Sequence, residues 1–171
     1  MRKLFLLLTF CVAAQGQQAQ PQACPNDLHS AGLYNYTASD TATPSAAAEV
    51  STLQVPGSGQ PSVAIRACGV SISSTVALSF TLERTGTVAS TTSLTPASVN
   101  RQAPSPVVTA FKQSNVGSGT VIAAYQLAAG GTISLDLTKE MLQQGGDNVT
   151  IRTNSITGTV NINWTWFEQG R

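Results

Sequence analysis

From Val160 to Trp166 the chain alternates strictly: Val160, Ile162, Trp164 and Trp166 are apolar, and Asn161, Asn163 and Thr165 between them are polar. A pleated strand sends successive side chains to opposite faces, so this segment requires a strand with one heavy apolar face and one polar face. Both tryptophans of the chain lie on the apolar side. Such a face needs a second layer over it, which places this strand, expected over 156–167, in the middle of a β-sandwich core.

The rest of the chain repeats the pattern more weakly. Val76, Leu78, Phe80 and Leu82 share one face of a stretch running from Gly69 to Thr85, which reads either as two strands or as one strand bent near Ser73 and Ser74. Val121, Ala123, Tyr125 and Leu127 align in a strand over 120–128, and Ile133, Leu135 and Leu137 align in the next, after a turn at Ala129-Gly130-Gly131. Shorter strands are expected at 32–39, 49–55, 62–68, 107–111 and 149–153, with a Thr- and Ser-rich edge strand at 87–94 and a proline loop at 96–106. One or two helical turns are expected at 139–144, stopped by Gly145 and Gly146. Frequent turn signals and the lack of room for crossover helices predict an all-β chain, a single antiparallel β-sandwich of jelly-roll type with about nine or ten short strands. The predicted core holds Phe80, Leu82, Tyr125, Leu135, Val160, Ile162, Trp164 and Trp166. The succession of strands from Val121 to Glu168 is similar in general outline to small surface sandwiches of virions and cell-surface layers.

The start of the chain predicts an address. Arg2 and Lys3 precede an apolar run from Leu4 to Ala14, with small residues at Ala14 and Gly16, the layout of a secretory signal peptide over 1–16. Residues 17–23 read as a flexible leader, and 24–171 as the β-sandwich domain. A secreted or cell-surface location follows, and no later stretch is apolar enough to span a membrane as a helix. In an oxidising compartment Cys24 and Cys68, the cysteines left after cleavage, are expected to form a disulfide closing about 44 residues and worth about 3–4 kcal/mol.

Charge narrows the function. Charged residues are 10% of the chain, and without Arg2 and Lys3 there remain seven basic and eight acidic ones. No basic patch is available for a polyanion, so nucleic acid is not an expected partner. A polar surface with so little charge has little long-range repulsion against its own kind.

Catalytic signals are sparse. His29 is the single histidine, and no nucleophile elbow, metalloprotease helix or phosphate loop appears; Gly117-Ser118-Gly119 lacks the lysine and helix of a phosphate cradle. The eight acidic residues are spread along the chain and form no paired-carboxylate motif. Asp136, Asp147 and Asn148 together form a weak candidate for Ca²⁺, an ordinary polar turn being the plainer reading of Asp147 and Asn148 beside two glycines. No cofactor is expected, and the chain does not read as an enzyme.

Three sequons, at Asn35, Asn148 and Asn163, are candidate glycosylation sites; a glycan on Asn163, in mid-strand, would block a second sheet or partner from that face. Trp164 and Trp166 could form a sugar-stacking platform, but a domain with so few large residues needs both in its core. Phe167 falls on the other face beside Glu168 and is the candidate for an intermolecular contact, together with Leu33, Tyr34 and Tyr36 should an early segment add to an open edge. The expectation is a secreted structural or adhesive protein, a self-assembling subunit of an extracellular filament or surface layer, with copies of itself or a cell-surface component as partners. A carbohydrate- or ligand-binding β-sandwich module is the alternative, and an enzyme of unfamiliar type a remote third.

Overall fold

A computed structural model describes residues 33–43, 50–55, 64–85, 92–98, 103–112, 119–137, 148–154 and 157–169. The expected signal peptide and leader, Cys24, His29, Asp147 and the helical turns at 139–144 lie outside the described residues. The described chain is all β, in two open antiparallel sheets.

The strands are β1 (Leu33–Ala42), β2 (Val50–Gln54), β3 (Ala64–Ser74), β4 (Leu78–Thr85), β5 (Thr92–Ser93), β6 (Ala97–Ser98), β7 (Thr109–Lys112), β8 (Thr120–Leu127), β9 (Thr132–Asp136), β10 (Asn148–Thr153) and β11 (Val160–Gln169). The first sheet runs β6-β1-β11-β3-β9 and the second β5-β7-β2-β10-β4-β8. The eight longer partners nest from the outside inward: β1 pairs with β11, β2 with β10, β3 with β9 and β4 with β8. Each successive nested pair changes sheet, so the chain behaves as one long hairpin wrapped around a common core.

That core is set by the alternation. Val160, Ile162, Trp164 and Trp166 of β11, at most 1% exposed, meet Tyr36 and Ala38 of β1 and Val70 and Ile72 of β3 in one apolar cluster. The second sheet contributes Leu53, Val149, Ile151, Leu78, Phe80, Leu82 and Leu127 to the same cluster, with Tyr125 and Leu135 packed against it half-buried. Fully burying side chains of this size contributes about 1.5–3 kcal/mol each. The indole N–H of Trp164 would be stranded there, but it donates to Ser51 Oγ at 2.8 Å, and Ser51 Oγ donates in turn to the Phe111 carbonyl. Tyr36 stacks on Trp166 at 5.7 Å and donates its hydroxyl to the Pro104 carbonyl at 2.7 Å.

Several boundaries differ from the sequence expectation. The stretch from Gly69 to Thr85 divides into two strands, the first of its two readings, but the expected boundary between Cys68 and Gly69 is absent: β3 runs unbroken from Ala64 through both to Ser74, and β4 begins at Leu78. β11 begins only at Val160, because residues 157–159 turn against 75–76, where Thr75 N donates to the Thr159 carbonyl and Thr159 N to Thr75 Oγ1. The inward row of β11 does not stop at Trp166. It continues to Glu168, 1% exposed, whose carboxylate accepts N–H bonds from Val107 (2.9 and 3.0 Å), Val108 (2.9 Å) and the Trp166 indole (3.3 Å). A buried carboxylate is tolerable only with partners of this kind, and these fix the approach to β7 onto the end of β11.

Candidate functional site

β8 ends the second sheet in the strand order, so one of its backbone edges has no neighbour among the described strands. It is eight residues long, Thr-Val-Ile-Ala-Ala-Tyr-Gln-Leu, with no proline and no charge. Its register against β4 slips between Leu82 and Glu83: Leu82 faces Ala123 and Glu83 faces Val121, leaving Ile122 as the extra residue of a bulge. A bulge puts two consecutive residues opposite one and re-aims the side chains beyond it. Val121 therefore leaves the inward row that period two assigns to it, and Val121 and Ile122 stand 53% and 39% exposed, the large hydrophobics exposed among the described residues.

The ground beside this edge is polar but internally neutralised. Glu83, opposite Val121 and 4% exposed, accepts Arg152 Nε at 3.0 and 3.2 Å, Thr81 Oγ1 at 2.8 Å and the Gly119 N–H at 3.4 Å. Burial by itself raises the Glu83 pKa, but the bonds from Arg152, Thr81 and Gly119 and the charge of Arg152 outweigh it and hold the carboxyl below its ordinary value. The Gly119 bond ties the entry of β8 to the sheet. Next to the pair lies an open depression of about 520 Å³, lined by residues 79–81, 124–126 and 152–154. By alternation Ser79, Thr81, Ala124, Gln126 and Arg152 line it from the face away from the core.

The outward face of the first sheet is a second feature. Thr41 Oγ1 donates to Asn161 Oδ1 at 2.8 Å, Asn161 and Asn163 amides donate to Ser73 and Ser71 hydroxyls at 3.4 Å, and Thr165 Oγ1 donates to the Gly69 carbonyl at 3.1 Å. These rungs cross three adjacent strands without a charge, and the charge on this face stands at its margin, where the exposed Asp136 of β9 lies opposite Gly69. On the second sheet the corresponding rung, Thr52 to Thr150 at 3.0 Å between hydroxyls, is already fully buried within the chain.

The residues singled out from sequence scatter over this frame. Trp164 and Trp166 are fully buried and form no platform. Phe167, expected outward at an intermolecular contact, does lie on the other face from Trp166 but is only 8% exposed, covered by its own chain. Tyr36 is buried at 2% in the core and Tyr34 is half-buried against it; period two turns both inward from β1, which leaves little of either for a partner. Leu33 opens β1, paired with Gln169 of β11 on one side, while on the other side β6 pairs only with Tyr36 and Thr37.

Cys68 is 3% exposed and disulfide-bonded, and its partner, like Cys24, is outside the described residues. It is also the extra residue of a bulge, since Thr165 faces Gly69 and Trp166 faces Ala67. Asn148 is fully buried at the start of β10, so the folded chain has no room for a glycan there; Asn35 and Asn163 are half-buried on the first sheet. Asp136 is exposed on β9 of the first sheet, while Asn148 lies in the second. Among the described residues no three His, Cys, Asp or Glu side chains gather as a metal site would require, and no helix is long and apolar enough to cross a membrane. Sequence reasoning missed the β8 edge and the Glu83–Arg152 pair; the uncharged run around β8 was the available signal.

Comparison with family models, curated proteins and solved structures finds no match to the chain.

Proposed function

We propose that the protein is a secreted, non-enzymatic structural subunit that associates with copies of itself in an extracellular filament or layer, or at a cell surface. The observation that carries this reading is the β8 edge, a long uncharged strand with Val121 and Ile122 in solvent. Natural edge strands are usually shortened, covered, charged or twisted away by a bulge because an open edge recruits further strands; β8 has a bulge at Ile122, but from Ala123 to Leu127 it stays regular and uncharged. The hydrogen-bonded rungs across β1, β11 and β3 support the same reading, since Thr41, Asn161, Asn163, Ser71 and Ser73 can be covered without stripping water from ions.

Two finer points belong with it. The nested pairing and the division into β1-β11-β3-β9 and β2-β10-β4-β8 support a jelly-roll sandwich, with β5, β6 and β7 added at the margins. The bonded state of Cys68 supports the Cys24–Cys68 disulfide, and with it export under the signal peptide at 1–16.

The test is the size distribution of the purified mature protein by light scattering, with negative-stain images of the same sample. Dimers, fibres or regular layers are expected; a single monomeric species at every concentration would sink the proposal. The depression at 79–81, 124–126 and 152–154 favours a second reading, a module that binds an uncharged polar ligand such as a glycan. Glycan-array binding that Gln126→Ala and Asn154→Ala both abolish would move that reading to first place.

A further inference from the structure

We infer that β8 joins the β8 of a second copy, antiparallel and about a two-fold axis, extending the second sheet across the pair. The inference names the contact for the self-association proposed above and rests on that reading. An open strand edge can accept any extended chain, so the occupant is decided by chemistry. From Gln113 to Leu135 the sequence holds no Lys, Arg, His, Asp or Glu. The nearest buried charge, Glu83, is bonded to Arg152. Arg84 is exposed opposite Thr120 at the entry of the strand, but along Ala123 to Leu127 the paired residues of β4 are all uncharged, so a charged partner would find no counter-charge there and its desolvation would go uncompensated. A second β8 is neutral, extended and apolar at the same place. No register between the two copies sets like charges opposite each other.

Symmetry then restricts the register. A two-fold axis normal to the sheet keeps each face on its own side, and residues directly opposite in an antiparallel pair point to the same face. Because strand side chains alternate, the numbers of two opposed residues must sum to an even value, so the axis passes through one residue facing its own copy. The bulge at Ile122 leaves Ala123 to Leu127 as the regular stretch, and the axis falls on Ala124, Tyr125 or Gln126. A centre on Tyr125 brings Val121 and Ile122 of each copy toward the exposed Ala128 and Ala129 of the other. The contact is isologous and closes at two copies, so a filament or layer needs a further patch.

The experiment uses the mature protein in a concentration series, measured by size exclusion with light scattering. Val121→Lys with Ile122→Lys puts cations into the edge at two solvent-exposed positions, and circular dichroism checks that the variant is folded. The expected result is dimerisation of the wild type and a midpoint at least about tenfold higher in the lysine variant. Ala124→Cys with Gln126→Cys is the second probe. Both positions are exposed, and for every allowed centre two of the introduced thiols lie opposite each other, within reach of a disulfide; mild oxidation should give a covalent dimer on a non-reducing gel. A wild type that associates, with the lysine variant equally associated and no covalent dimer, overturns the β8 contact and leaves the structural-subunit reading standing. A wild type that stays monomeric, with no covalent dimer, overturns both.

Discussion

The Trp164 indole donates to Ser51 Oγ at 2.8 Å, a bond that crosses from β11 in the first sheet to β2 in the second. Trp164 is fully buried and its N–H has no water to turn to. Ser51 passes the bond on to the Phe111 carbonyl of β7, so one hydroxyl joins three strands. Ser51→Ala should leave the indole donor unsatisfied and cost about 1–3 kcal/mol. Urea unfolding followed by tryptophan fluorescence measures it, and Ser51→Thr should recover part of the loss if its hydroxyl reaches the same place. An unchanged midpoint in Ser51→Ala would show that the bond contributes nothing.

Glu168 occupies a place in an apolar row because three N–H groups meet it, two of them from the backbone at Val107 and Val108. Glu168→Ala removes the acceptor and leaves the N–H groups of Val107, Val108 and the Trp166 indole, all bonded to Oε1, without a partner. It should cost about 1–3 kcal/mol or more, in the range seen when buried donors are left unsatisfied. The loss should be concentrated locally: amide exchange at Val107 and Val108 should accelerate more than at Ile162. Uniform acceleration at all three would mean that Glu168 acts on global stability alone.

How much of this was legible follows from what alternation can carry. It placed Val160, Ile162, Trp164, Trp166, Phe80 and Leu82 in the core, because in these rows each inward side chain is apolar and each outward one is not. It failed at Glu168, where a charge continues an apolar row, and at Val121, where the Ile122 bulge adds a residue and reverses the faces beyond it. Periodicity also assigns a side chain to a face without saying whether that face is covered. Phe167 and the Thr52–Thr150 hydroxyl pair are buried on outward faces for this reason. Strand order is likewise absent from a local pattern, so nothing in the β8 segment announced that it would end a sheet.

Gly130 adopts φ of 72° in the turn that carries the chain from β8 to β9, with Gly131 N donating back to the Ala128 carbonyl at 2.9 Å. Its own N–H donates to the Ser74 carbonyl, which pins the turn to the end of β3. A side chain in this left-handed region costs about 1–2 kcal/mol. Nothing lies within 4 Å of the position a Cβ would take, so Gly130→Ala isolates backbone strain from crowding. A loss of about 1 kcal/mol is expected on thermal or urea unfolding, and Gly130→Asn should lose less, since Asn tolerates this conformation better than Ala. Equal losses for the two variants would argue against the strain account.

The Glu83–Arg152 pair makes a pH dependence whose sign is fixed by the direction of the shift. Hydrogen bonds and the guanidinium charge hold the folded Glu83 pKa below its ordinary value. The folded state therefore binds this proton less readily than the unfolded chain does, and the pair's contribution is complete above the ordinary carboxylate range. It is lost as the pH falls through that range and then through the lower folded value. Glu83→Gln removes the titrating group, so its stability deficit against the wild type should be largest near pH 7 and shrink on acidification below about pH 4–5. The bond from Gly119 breaks in the same step, so the entry of β8 should loosen with it. Unfolding midpoints of the two proteins across pH 3 to 7 check the first point, and amide exchange at Thr120 and Val121 the second. A deficit that stays constant with pH would show that Glu83 acts by packing and not through its charge.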